Sequence, residues 1–322
     1  MIRHTYRSVW IILISIMSAC GSPLSIAPTR VPASTITVQH VATDTVVPAP
    51  LPATTTPELP STAVAPATGV ALGLNPAPLA AVQTIVDYYA AINQQQYAVA
   101  YRFWAQPSQT LAQFAAGFAD TIESRVRIGQ VDISLDHMIV PVTIVAVVNQ
   151  TTGDQVVQWF RGTYTVQNAQ ILDATITAIT APAPRDDDDP TQLVTNYYIA
   201  LQQYQFATAY TLWADNGGAS QLAYADFVQH IADTQGATIS TGDVQQEGAA
   251  GSTYATIPVV ARVPQGTDVP RVWCGTYTVR RAMVPPFEQL GWRITQADMQ
   301  AVTIPSSDDA TLQRLLRTGC TP

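Results

Sequence analysis

Hydrophobic positions along this chain recur first with a helical period and then alternate, and the whole progression happens twice. Ile85, Tyr89 and Ile92 are spaced to share one helix face, and Val194, Tyr198 and Leu201 repeat that spacing. Asn75-Pro76 and Asp189-Pro190 each set a capping side chain before a proline at the first helical position. A second short helix is predicted around Ala100, Tyr101 and Trp104, and a third over 111–122, with its counterpart over 224–234. The period then falls to two. The strands read VDISL, IVPVTIVAVV, VVQWFRGTYTV and ILDATITAI, and later TYATIPVVARV, RVWCGTYTV and WRITQADMQAV. Helices first and strands afterwards predict an α+β fold, with helices packed on one face of a mainly antiparallel sheet.

The repetition is literal. YYAAINQQQYAVAYRFWA, Tyr88 to Ala105, returns as YYIALQQYQFATAYTLWA, Tyr197 to Ala214, at a constant offset of 109. The offset becomes 113 where Phe114 matches Phe227, 117 where Pro141 matches Pro258, and 113 again where Gly162 matches Gly275. The first shift falls at the loop-like NGGAS (216–220), and the others lie between apparent strands. The chain therefore divides into one domain over 76–181, an acidic linker over 182–189 and a second domain over 190–304, with a tail over 305–322. The linker carries four adjacent aspartates. Without spaced ligands or a glycine turn, such a run reads as a solvated segment that also caps the next helix, not as a calcium site. Each copy has its own caps, aromatic residues and strands, so each is expected to bury its own core and melt independently.

The N-terminus changes the picture. Arg3 and Arg7 precede a short apolar run, Val9 to Met17, too short for a membrane span and suited to a secretory signal over 1–19. Met17-Ser18-Ala19-Cys20 resembles the lipobox of bacterial lipoproteins, which implies lipidation of Cys20. Residues 20–75 are rich in Pro, Thr and Ala and almost free of charge and aromatics, a composition expected to stay extended as a stalk. The expected setting is extracytoplasmic, with the chain bound through a lipid anchor to a bacterial membrane or cell surface. All 15 basic residues are Arg, so Schiff-base and lysine-base chemistry are excluded. Removal of Arg3 and Arg7 leaves 13 Arg against 23 acidic residues, a net charge of −10, which argues against nucleic acid as a partner.

The pattern YYxA, AYxxW, FxxxxADT and GTYTV, present in both copies, resembles bacterial members of the nuclear transport factor 2-like superfamily. That resemblance implies three helices against a strongly bent sheet, forming a cone whose mouth holds a small apolar ligand. Gly162 and Gly275, inside strands, suit such a bend. The superfamily holds isomerases, dehydratases, cyclases, transport adaptors and domains attached to transpeptidases, so the fold does not choose an activity. No catalytic Asp or His motif of its enzymes maps onto these residues.

Alternation places Phe160, Tyr164 and Val166 on one strand face, and Trp159 and Arg161 on the other. Candidate pocket-lining residues are Tyr89, Trp104, Phe160 and Tyr164, with Tyr198, Trp213, Trp273 and Tyr277 in the second copy. The ordinary reading of the same stripe is core packing. His40, His137 and His230 are scattered, so no metal or cofactor is implied, and a His137–Asp136 pair is disfavoured if the two lie adjacent on a strand. Asp120 and Asp233 recur near a helix end. If Cys20 is lipidated, Cys274 and Cys320 remain to pair with each other, with free thiols or an intermolecular bridge as alternatives. Ser307 is placed to cap a C-terminal helix from Asp308 that carries Leu312, Leu315 and Leu316 on one face. Three functions stay open: a binding or interaction module for a small apolar ligand or an envelope protein, a pocket enzyme of isomerase or dehydratase type, and a structural accessory of the envelope. A filled cone would favour the last.

Overall fold

The computed structural model describes residues 75–182, 187–234, 236–265, 268–304 and 308–320. The signal segment, Cys20, the stalk, His40, part of the linker and Ser307 lie outside the described residues. The architecture is mixed α+β with two antiparallel sheets of five strands. Helices α1 (Pro76–Asn93), α2 (Tyr97–Arg102) and α3 (Leu111–Gly117) precede β1 (Thr121–Ile128), β2 (Asp132–Ile133), β3 (Met138–Asn149), β4 (Gln155–Gln167) and β5 (Gln170–Ile179). The second copy runs α4 (Pro190–Gln202), α5 (Phe206–Thr211), α6 (Tyr224–Ile231), β6 (Thr238–Thr241), β7 (Gln245–Ala249), β8 (Ser252–Gln265), β9 (Asp268–Ala282) and β10 (Arg293–Val302). A last helix, α7 (Asp309–Thr318), follows. The main path of the first sheet is β1-β3-β4-β5 and that of the second β10-β9-β8-β6.

Asn75 and Asp189 cap α1 and α4 through their side-chain oxygens, and Asp308 caps α7, one residue beyond the expected position. The third helix stops at Gly117, well short of Ile122, and β1 begins at Thr121. Val126 and Ile128 of β1 face the core, with Arg125 and Arg127 between them on the other side. This alternation is masked in the sequence by its charged positions. The short polar strands β6 and β7 also escape a hydrophobicity reading, because pairing with β8 overrides weak strand propensity.

Register explains the drifting offset. β7 and β8 pair from Gln245↔Thr256 to Ala249↔Ser252, whereas β2 and β3 pair only at Asp132↔Ile139 and Ile133↔Met138. The hairpin is longer in the second copy, and the β8–β9 turn is correspondingly shorter than the β3–β4 turn. Gly162 and Gly275 occupy equivalent places: a Cβ on either would overlap a carbonyl of the adjacent strand, at Thr175 or Asp298. Only glycine permits that approach of backbones.

The two copies are not independent. One buried cluster runs from Ile85 and Val126 in the first to Leu212 and Phe227 in the second, and the described residues of both copies belong to one compact unit. β1 is an edge strand, and its outward backbone groups are met by side chains of the second copy. Asn216 Oδ1 accepts from Val126 N (2.9 Å) and its Nδ2 donates to Ser124 O (3.2 Å). Thr211 Oγ1 accepts from Ile128 N (3.3 Å), and Thr208 Oγ1 donates to Ile128 O (2.8 Å). In return Gln83 Oε1 accepts from Tyr224 N (2.7 Å), capping α6, which has no side-chain cap of its own. Asn216 lies in the four-residue insertion that separates offset 109 from offset 113.

A second insertion, the loop after β9, lays Phe287 and Leu290 on Val145, Val147 and Trp159 at the other face of the first sheet. Arg125 donates to the Leu290 and Gly291 carbonyls beneath it. The linker takes part as well. Asp187, expected to be solvated with its neighbours, is 3% exposed and pairs with Arg293 and with Arg127 (3.4 Å). A carboxylate between two guanidinium groups from different copies is charge-compensated, so it can be buried where the halves meet, and removing one partner would leave a costly unpaired charge there. Asp188 and Asp189 are exposed as expected.

On the second sheet the corresponding cover is α7, which packs Leu312, Leu315 and Leu316 on Val260, Val272 and Cys274. A Cys274–Cys320 disulfide, with 46 residues of sequence separation, ties it down. Such a closure stabilises by about 4 kcal/mol in the chain-entropy view, so Cys320→Ser should lower stability by up to that amount. Because the core is shared, Asn216→Ala should cost about 1–3 kcal/mol, the penalty for stranding a buried donor. Hydrogen exchange against denaturant should show both copies opening together in that variant and in the parent; separate transitions would restore independent domains.

Candidate functional site

The residues expected to line a pocket converge twice, in matching fashion. On α1, Tyr88 and Tyr89 turn inward and meet edge-on, with ring centroids 5.2 Å apart. Tyr89 shares a hydrogen bond with the Tyr164 hydroxyl of β4 (2.7 Å). Trp104 sits against Tyr88 and Tyr164, at 6.3 and 6.4 Å. Its backbone is pinned beside Ile171 of β5 by Ala105 N→Ile171 O (2.9 Å) and Ile171 N→Phe103 O (2.6 Å). The second copy repeats this with Tyr197, Tyr198, Trp213 and Tyr277, where the Tyr198 and Tyr277 hydroxyls are 3.1 Å apart. Phe160 and Trp273 pack partly buried against the same core, and Trp159 lies on the opposite sheet face.

All four hydroxyl-paired tyrosines are buried. Burial first, then repulsion from a neighbouring phenolate, holds Tyr164 and Tyr277 well above the ordinary phenol range. Tyr198 is pushed up by burial to about 12, although its bond to Tyr277 opposes the rise. Trp104 Nε1 and Trp213 Nε1 are turned toward the Tyr88 and Tyr197 hydroxyls but fall short of hydrogen-bond geometry. Burial therefore keeps these phenols protonated near neutrality. What the clusters offer is an aromatic interior in which two hydroxyls of each copy face one another and one indole N–H has no partner.

The other candidates are dispersed. His137 Nδ1 and Asp136 Oδ1 do meet, at 2.7 Å, because they sit in a turn closed by Ser134 N→His137 O and not on a strand. That turn is an exposed hairpin tip with Asp136 73% accessible, so nothing walls a substrate around it. Asp120 and His230 are exposed, and the Asp233 side chain lies outside the described residues. Among the described residues no three His, Cys, Asp or Glu side chains converge as metal ligands.

One concavity was not foreseeable. It lies between the end of α7 and the outer face of the second sheet, has a volume of about 420 Å³, and is lined by Thr256, Thr276, Asp298, Gln300 and Arg317 above the disulfide. Its existence depends on where α7 docks, which no local pattern encodes. Among the described residues no helix is long and apolar enough to cross a membrane.

No protein-family model and no curated protein matches the chain. One solved structure similar to part of it is described as a candidate dehydratase of the NTF2-like family from Streptomyces avermitilis. The two are 18% identical over 37% of this chain and 97% of the other, with a TM-score of 0.27, a likeness too slight to carry an activity across.

Two expectations test the tyrosine pairs. Tyr164→Phe should cost about 1–3 kcal/mol by stranding the Tyr89 hydroxyl, whereas the Tyr89→Phe, Tyr164→Phe double variant should cost less than the sum of the single changes. Alkali should act through the same groups. Below pH 10 the Tyr198 phenol is protonated folded or unfolded; between 10 and about 12 only the unfolded chain ionises it, so stability falls as pH rises. Phenolate absorbance and circular dichroism recorded together should change in step over that window.

Proposed function

We propose that the chain is a non-enzymatic structural accessory of the cell envelope that docks a partner, held outside the cytoplasm with lipidated Cys20 as anchor and residues 20–75 as a stalk. In this reading its head is two tandem cone-shaped domains of nuclear transport factor 2-like type, 76–181 and 190–304. The cones are filled by the chain's own aromatic residues and act as scaffolding. Partners, an envelope protein foremost, are met on the outside of the head. The observation that carries the reading is the pairing of Tyr89 with Tyr164 and Tyr198 with Tyr277, which satisfies these four buried hydroxyls without a ligand. An isomerase or dehydratase pocket needs an acid or base aimed at an open cavity, and these groups are spent on one another.

Two measurements separate the parts of this proposal. Native mass spectrometry of residues 72–322 should give the polypeptide with its disulfide and no adduct; a co-purifying small molecule would overturn the filled interior. Cys20→Ser should move the full chain out of the detergent phase. Unchanged partitioning would remove the anchor and leave the interior reading standing.

A further inference from the structure

Asn216-Gly217 is the only Asn-Gly pair in the sequence, and it sits at the junction between the copies. Asparagine before glycine is the peptide arrangement most open to ring closure, because glycine has no side chain to shield its nitrogen. Here three features oppose the reaction. The Asn216 side chain is fixed at both ends, Oδ1 accepting from Val126 N and Nδ2 donating to Ser124 O. The nucleophile is engaged too, since Gly217 N donates to Ala214 O (3.1 Å) and Trp213 O (3.3 Å). Asn216 is also only 4% exposed, which keeps out the water and base that the reaction requires.

We propose that Asn216 is a protected deamidation site whose conversion prevents the copies from docking again. Once the 215–220 segment leaves β1, the Gly217 nitrogen attacks the Asn216 side-chain carbonyl carbon and gives its proton to solvent. The side-chain nitrogen departs as ammonia, leaving a cyclic imide. Water opens the ring at either carbonyl, so the net change consumes one water, releases one ammonia and yields aspartate or its β-linked isomer. Neither product can replace the amide. An aspartate oxygen has no proton to give Ser124 O near neutrality, and it would bring a charge into a buried joint. The β-linked product also lengthens the backbone of a tight turn. Separation of the copies thus becomes irreversible with time, and the modified fraction records how often the joint has opened.

The test starts from the unaltered full chain, held in mildly alkaline buffer with and without denaturant. The mass gain of the peptide containing Asn216 is followed, with the β-linked isomer resolved by chromatography. Deamidation should be at least about tenfold slower in the folded chain, since it needs local opening. Thr211→Val, which removes the acceptor for Ile128 N, should raise the folded-state rate. In an Asn216→Asp chain the Val126 and Ile128 amides should lose their slow hydrogen exchange, a failure to fold being the extreme of that loss. Equal rates in folded and denatured parent would overturn the protection. Parent-like exchange of both amides in Asn216→Asp would overturn the block to redocking.

Discussion

The structure depends on what happens to the outer edge of one strand. β1 closes the first sheet, and an open edge inside a protein leaves backbone donors and acceptors that water cannot reach. The usual answer is another strand. Here the second copy answers with side chains. Asn216, Thr211 and Thr208 stand where a neighbouring backbone would be, and Asn93 of the first copy completes the row with both hydrogen bonds to Ser124. Because the bonds to Val126 N and Ile128 N are buried, losing them is costly in a way that losing exposed ones is not. The core can then run unbroken across the joint.

That joint makes two similar sequences unequal. The equivalent edge in the second copy, β6, has Gln202 on Ala237 O in the place of Asn93 on Ser124 O. The outer faces differ in the same sense. The first sheet is covered by Phe287 and Leu290 from its neighbour, and the second by α7 under a disulfide. Three departures from exact repetition, namely the insertion within 215–220, the loop after β9 and the terminal helix, lie where a repeated surface would otherwise be bare. Terminal units of repeat proteins meet the same need with atypical caps.

This division explains what could be read in advance. The helix caps at Asn75 and Asp189, the inward aromatic residues and the two strand faces around Tyr164 are local or periodic features, and they were legible. β1 was not, because Arg125 and Arg127 alternate with its core residues and serve a partner far away in sequence. Asp187 was hidden in a run of like charges that by itself predicts solvent, and Asn216 in a stretch with the composition of a loop. In each case the function of the residue is fixed by an element about 60 or more positions distant, and no local pattern carries that information. The aromatic stripe was visible without its meaning, since a lined pocket and a filled core need the same residues at the same spacing.

The choice between those meanings turns on the hydroxyls. A tyrosine brought into an apolar interior must find a partner, and a ligand-binding site leaves some of that demand for the ligand. In both copies one tyrosine from a helix and one from the facing strand meet each other's demand, while one indole N–H, that of Trp104 or Trp213, is left without a partner. The same pairing joins the helical layer to the sheet, so it is structural. Duplication has therefore produced two interiors of similar chemistry and two exteriors of different chemistry.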